Sequence, residues 1–232
     1  MAERAEPEFD AYAAEYDASL AEGLRLTGAG KEYYARERIT WLRESAAAAG
    51  VTRVDRVLDF GFGDGDAAPL LREVLGAREV VGVEVSPAML SRARERHPWA
   101  RFELMDSLPT LGAFDVAYCN GVFHHIPVVE RAGAARRVRD ALRVGGLFGL
   151  WENHPWNPGT RFVMSRVSFD RDAIMLSPPE TRRLLNATGL RTLRTDHRFI
   201  FPGGLSVLRP LERMLSRLPL GGQYQVLARR ES

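Results

Sequence analysis

Three places in this sequence carry residue types and spacings that could do chemistry. The first is Arg56-Val-Leu-Asp-Phe-Gly-Phe-Gly-Asp-Gly-Asp66, a short apolar run that passes through Asp59 and breaks into glycines at alternate positions, Gly61, Gly63 and Gly65. Glycine lets a chain turn sharply and leaves no Cβ between the backbone and a ligand. The second is Glu84, with Val85, Met89, Asp106 and Ser107 beyond it. A carboxylate offers several lone-pair sites, so one acid can accept from two hydroxyls. The third is His124-His125, followed at some distance by Glu152, His154, Trp156 and Asn157. Imidazole titrates near neutrality and suits proton transfer.

The glycine turn by itself would serve several nucleotides. A phosphate-binding P-loop needs Gly-Lys-Ser/Thr, and none follows. A dinucleotide turn wants glycine at the sixth place of G-x-G-x-x-G, where this chain has Asp66, with Asp64 inside the loop. Two carboxylates there would repel a pyrophosphate. They suit a ligand without phosphate that carries positive charge, such as S-adenosylmethionine with its sulfonium and α-ammonium.

The elements that must position these residues follow from periodicity. Apolar runs predict strands over 57–60, 80–85, 101–105, 114–119 and 147–151. Helical patterns fall between them, over 67–75, 87–96 and 128–143, the last ended by Gly145-Gly146. This alternation predicts a parallel sheet covered on both faces. Two helices precede it, 9–26 and 31–48, and read as an N-terminal helical cap over residues 1–50 ahead of a main domain, 51–232. After Trp151 the pattern changes. Residues 153–176 are aromatic and Pro-rich without a clean period, which marks an insertion. Ser177 starts a helix to about Thr188, strands follow at 190–200 and 224–228, and 202–222 is an apolar insertion with a short helix at 211–218.

The 232 residues are 45% hydrophobic and 27% charged, with a net charge of +2 and both signs interspersed, so no nucleic-acid footprint is expected. The arginine clusters at 36–38, 136–139 and 182–183 read as solvated helix faces. Cys119 is the one cysteine, which excludes an internal disulfide. No signal-peptide pattern and no membrane-spanning run stand out, so the expectation is a cytoplasmic monomer or homodimer.

At five points the sequence resembles the class I S-adenosylmethionine-dependent methyltransferases. These are Val57–Gly65, Val81–Leu90, Phe102–Pro109, Phe114–Ile126 and Leu142–Phe148, in the family's order and spacing. The resemblance implies a Rossmann-like α/β fold whose seven-stranded, mostly parallel sheet runs 3-2-1-4-5-7-6, with the last strand antiparallel. It implies S-adenosyl-L-methionine as cofactor and S-adenosyl-L-homocysteine as product. Asp59 would orient the ammonium, and Gly61, Phe62, Gly63 and Gly65 would bring the backbone against the cofactor. Glu84 would take the ribose hydroxyls, with Val85 beside it. Met89 would pack on the adenine, and Asp106 and Ser107 would meet its edge. Asn120 and Val122 would contact the methionine end, joined by Tyr16 of the first helix. Glu84 stands where Asp is more frequent, and Phe62 where Cys often stands.

Methyl transfer needs alignment and dryness more than a fixed catalytic side chain. His124 or His125 is the candidate general base, and the alternative is that the pair shapes the pocket. Tyr12, Glu152, His154, Trp156 and Asn157 are candidates for the acceptor side, where Trp156 and Asn157 read equally as a rigid turn. No His-x-His or His-x-x-x-His spacing is present, so no metal is expected. His97 and His197 read as peripheral. The expected function is methylation of an O, N or C atom of a small-molecule metabolite, of natural-product or sugar origin. A non-methylating cyclase that holds the cofactor is the first alternative. A protein or RNA methyltransferase is the second, disfavoured because Asn120-Gly-Val-Phe replaces an Asn/Asp-Pro-Pro-Tyr motif.

Overall fold

A computed structural model describes residues 28–110, 112–167, 170 and 173–232. Seven strands, β1 (Arg56–Phe60), β2 (Glu79–Glu84), β3 (Arg101–Leu104), β4 (Phe114–Asn120), β5 (Leu142–Asn153), β6 (Leu190–Arg198) and β7 (Gln223–Arg230), form one sheet. Its order is β3-β2-β1-β4-β5-β7-β6. The first five strands pair in parallel, and β7 runs antiparallel to both β5 and β6. Around the sheet lie α1 (Lys31–Ala48), α2 (Ala68–Leu75), α3 (Pro87–Arg96), α4 (Arg131–Ala141), α5 (Pro158–Met164), α6 (Pro178–Ala187) and α7 (Glu212–Leu215).

Alternation along each strand sends side chains to two cores. Val57 joins Val80, Val116 and Leu147 on the face covered by α1, α2 and α3. Its neighbour Leu58 joins Val81, Ala117 and Phe148 on the face covered by α4 and α6. Burial on both faces is why these strands read as continuous apolar runs. The expected cap helix α1 lies inside the first of these layers. Ile39, Trp41, Leu42 and Ala46 are buried, and Leu42 sits so closely over Gly149 of β5 that a Cβ there would lie 2.5 Å from Leu42 Cδ1. Residues 9–26, the other expected helix, lie outside the described residues, as do Tyr12 and Tyr16.

Local chemistry sets several boundaries. The Ser86 hydroxyl caps α3 by accepting from the Met89 amide at 3.1 Å, with Pro87 in the first turn. Ser177 and Glu180 form a capping box on α6. Two boundaries differ from expectation. Gly145-Gly146 does not end α4, which stops at Ala141; Leu142 already pairs with Phe114. The pairing then shifts and resumes at Leu147 with Val116, and Gly145 (φ +81°) makes the bulge between. The expected helix over 211–218 is a 3-10 stretch, Gly203–Leu211, followed by the single turn of α7. Pro210 lies in that stretch, where it has no amide hydrogen to donate.

Candidate active site

A cavity of about 1040 Å³ opens at the carboxyl ends of β1, β2 and β4, the edge where open α/β sheets bind ligands. One end is built from backbone. Gly61 (φ +74°) begins the turn after β1, and a Cβ there would lie 2.5 Å from Val122 Cγ2. Glu84 lines the cavity and is fixed by three amides: those of Gly63 (3.0 Å), Val85 (2.7 Å) and Ser86 (3.3 Å). Met89, Val85 and Val122 also face it.

Beside this turn, Asp59 Oδ2 and Asn120 Oδ1 are buried without a hydrogen-bond donor among the described residues. Burial, with the Glu84 charge adding to it, pushes the Asp59 carboxyl up to about 8. Two buried acceptors that lack donors fit a ligand ammonium. Glu84, held at the tip of β2, fits a ribose diol. The residues present therefore suit the cofactor inferred from sequence.

Other expected cofactor residues lie elsewhere. The Phe62 ring turns away from the cavity, 4.7 Å from Phe102 and beneath Gly82. Gly65 (φ +83°) packs under the turn, where a Cβ would meet Ala93, Phe102 and His97 at 3.1–3.3 Å. Asp106 is exposed on the 3-10 turn Met105–Thr110 and Ser107 is half-buried, while Met105 from the same turn lines the cavity. Asp64 and Asp66 differ from expectation. Arg96 pairs with both, at 2.5 Å for Asp64, and Lys31 of α1 pairs with Asp66. Their charges are balanced inside the protein, so repulsion of a pyrophosphate is not their role.

The second cluster centres on His124 in the turn after β4. Its Nδ1 lies 2.6 Å from Glu152 Oε2, and its Nε2 lies 3.3 Å from Asp170 Oδ1. His125 Nε2 lies 3.2 Å from the same Asp170 oxygen. The other Glu152 oxygen accepts from the Phe123 amide at 2.9 Å. His124, His125 and Asp170 line the cavity; Glu152, on β5, is buried behind them. Both ring nitrogens of His124 are thus engaged by carboxylates, Nδ1 by Glu152 behind it and Nε2 by Asp170 at the cavity. Burial opposes a charged ring, but the two carboxylates outweigh it and hold His124 up to about 10. Asp170 escaped the sequence reading because it lies 46 positions from His124 in a segment without pattern.

The far wall is made of side chains from distant segments. Phe199, Ile200 and Phe201 line it, and their three consecutive amides each donate at 3.0 Å to the buried carboxylate of Glu212. That bonding holds Phe199 at φ +64°, a conformation costly for a bulky residue. Arg38, Arg136, Arg137 and Arg209 also line the cavity. Arg38, expected on a solvated face, donates to Tyr118 Oη (3.3 Å) and Gln223 Oε1 (3.0 Å). Arg209 stacks 4.2 Å over the Tyr33 ring.

His154 and Trp156 do not reach this wall. Buried His154 donates its Nδ1 proton to the Gly221 carbonyl at 2.9 Å, clamping the entry to β7. Trp156 is 58% exposed, against the outer edge of His154. Asn157 lines the cavity, but its amide is used to cap α5 through the Thr160 amide and to hold the Leu220 carbonyl. His197, expected at the periphery, is buried with its ring 5.0 Å from that of His154. His97 sits beneath Gly65. Cys119 is buried, and burial raises its thiol pKa, as for an inert core thiol.

Residues 57–146 match the family described as methyltransferase domain. With the strand order and the glycine turn, this match makes residues 57–146 a methyltransferase domain of the class I S-adenosylmethionine-dependent type. Among curated relatives, a trans-aconitate 2-methyltransferase of Variovorax paradoxus is 31% identical over 84% of this chain. The match spans 64% of that relative's length, so the chain covers less than two thirds of it. A TehB-like S-adenosylmethionine-dependent methyltransferase from Corynebacterium glutamicum has the same fold. It is 18% identical, its TM-score is 0.62, and the match covers 95% of this chain and 99% of that one. The [4+2]-cyclase SpnF shares the fold too, at 16% identity and TM-score 0.58, with 82% and 80% of the two chains covered. Among the described residues no helix is long and apolar enough to cross a membrane.

Proposed function

We propose that this protein transfers the methyl group of S-adenosylmethionine to an oxygen of a small, negatively charged acceptor, a carboxylate above all. The observation that carries this reading is the charge on the acceptor side. Arg38, Arg136, Arg137 and Arg209 line the cavity against three acids, Glu84, Glu130 and Asp170, of which Glu84 and Asp170 are already engaged by amides and imidazoles. The curated relative's name, which specifies the acidic small molecule trans-aconitate, supports the same class of acceptor.

The geometry supports a division of labour. Glu84 would hold the ribose hydroxyls, Asp59 and Asn120 the ammonium, and Met89 the adenine. The cofactor, when bound, supplies a methyl group on a sulfonium whose departure leaves a neutral thioether. The arginines would bring the acceptor oxygen into line, and the walls at Phe199–Phe201 and α5 would keep water out. A carboxylate is already deprotonated at neutral pH, so no general base is needed. That agrees with both ring nitrogens of His124 being engaged by carboxylates.

The test is incubation with S-adenosylmethionine and a panel of mono-, di- and tricarboxylates, with matched amines and phenols, read by mass spectrometry. The expected products are S-adenosylhomocysteine and a methyl ester. Turnover of the amines alone would overturn the reading. A rearranged substrate with no S-adenosylhomocysteine would overturn it in favour of a cyclase.

A further inference from the structure

We propose that His124, His125 and Asp170 form a binding site for one divalent transition-metal ion at the acceptor end of the cavity. The Nε2 atoms of the two imidazoles lie 3.3 and 3.2 Å from the same oxygen, Asp170 Oδ1. All three donor atoms fall within 4.8 Å of one another. Ligands about 2.1 Å from a common ion are spaced about 3.0–3.4 Å apart in octahedral or tetrahedral geometry, so the two measured separations match edges of a coordination polyhedron.

The turn after β4 makes this convergence possible. Consecutive residues of a strand point to opposite faces, but His124 and His125 lie in a turn, and their ring centroids are 4.2 Å apart. Glu152 supplies what a metal-bound imidazole ordinarily has behind it. Its Oε2, 2.6 Å from His124 Nδ1, accepts a hydrogen bond from that nitrogen and leaves Nε2, beside Asp170, as the nitrogen that would give up its proton to an incoming ion. Glu152 is itself fixed by the Phe123 amide, so the ring cannot turn without losing a buried bond.

Two imidazoles and one carboxylate suit zinc, iron, cobalt or nickel better than magnesium or calcium, which prefer oxygen donors throughout. Three protein ligands leave positions for an exogenous oxygen, and these open to the cavity because all three residues line it. Metal binding rests on these residues alone. Its use, to fix an acceptor carboxylate or hydroxycarboxylate, rests on the function proposed above.

The experiment is titration of the chelator-treated full chain with Co²⁺, followed by visible absorption and equilibrium dialysis, with S-adenosylhomocysteine affinity measured in parallel. The expected result is one equivalent of Co²⁺ with d–d bands typical of nitrogen and oxygen ligands. His125→Ala and Asp170→Asn should each weaken Co²⁺ binding at least about tenfold and leave S-adenosylhomocysteine affinity unchanged. Asp170→Asn retains hydrogen bonding to both rings, so it separates a lost ligand from a lost fold. Absence of the Co²⁺ spectrum, or equal Co²⁺ uptake by both variants, overturns the site. Intact Co²⁺ binding in a protein that esterifies no carboxylate overturns only the acceptor reading.

Discussion

The two ends of the cavity are built by different means. The cofactor end is made where one strand turns into one helix. Its contacts are backbone amides, glycine conformations and the acids at the tips of β1 and β2, all within residues 59–89 apart from Asn120 and Val122. The end proposed for the acceptor is made of side chains delivered by α1, the turn after β4, α4, α5, the segment after β6 and the turn before β7. The first kind of site is specified locally, because a sharp turn constrains which residues can occupy it. The second is specified only by the assembled fold.

The largest test of this contrast is Phe62→Ala. Phe62 belongs to the glycine motif by sequence but packs on Phe102 in the core. The substitution should lower unfolding free energy by about 3 kcal/mol and leave cofactor affinity of the folded protein unchanged. Denaturant titration and calorimetry would measure the two quantities. Lost affinity with intact stability would return Phe62 to the site.

Next is Glu84→Ala, which removes a charged acceptor at the strand tip. S-adenosylmethionine affinity should fall by about 1.5–3 kcal/mol, roughly 10- to 100-fold. Unchanged affinity by calorimetry would remove the cofactor assignment altogether.

A smaller effect concerns pH. Asp59 titrates near 8 in the fold instead of at its ordinary 3.8, so it is neutral at pH 7 and must ionise to pair with an ammonium. Cofactor affinity should rise with pH, by at most about tenfold per unit, and level off above about 8. Asp59→Asn should abolish the Asp59-dependent part of that slope. Stability of the unliganded protein has the opposite sign. The raised pKa favours the folded state at low pH, and this contribution is lost as pH climbs from 3.8 to about 8.

The smallest effect belongs to the acceptor end. Arg137 is exposed on α4 at the cavity. Arg137→Ala should raise KM for an acidic acceptor a few-fold, an effect of about 1 kcal/mol or less, and leave cofactor affinity untouched. A drop in cofactor affinity would erase the distinction between the two ends.

What the sequence revealed follows the same division. The parallel sheet was legible because a strand buried on both faces is an apolar run, and five such runs stand in order up to Trp151, whereas the strand order came only from the family resemblance. The bounds of α1 were legible from its amphipathic stripe and Gly50. Gly145-Gly146 misled because a glycine pair stops a helix and makes a bulge with equal ease, and only the pairing of Leu142 with Phe114 decides between them. Asp64 and Asp66 misled because their partners, Arg96 and Lys31, come from α3 and α1, and charge balance across elements leaves no local trace. The histidine pair was visible, but its setting was not: Glu152 and Asp170 reach it from β5 and from beyond α5. Glu212, which holds Phe199–Phe201 in place, carried no signal at all, since one acid among exposed acids looks like any other.

The antiparallel insertion of β7 has a consequence for how this protein is made. β5 pairs with β4 on one side, and its other edge is completed only by β7, which leaves the ribosome after β6. During synthesis the longest strand of the sheet therefore waits with a bare row of amides and carbonyls, the kind of edge that recruits other chains. Gly222 and Gln223, which close the acceptor wall, arrive in the same moment that covers that edge. A chain stopped just short of Gln223 would keep its glycine turn and Glu84, yet it would be sticky where the seven-stranded sheet is closed. For this fold, closure of the cavity wall and protection from aggregation are acquired together, once β7 follows β6.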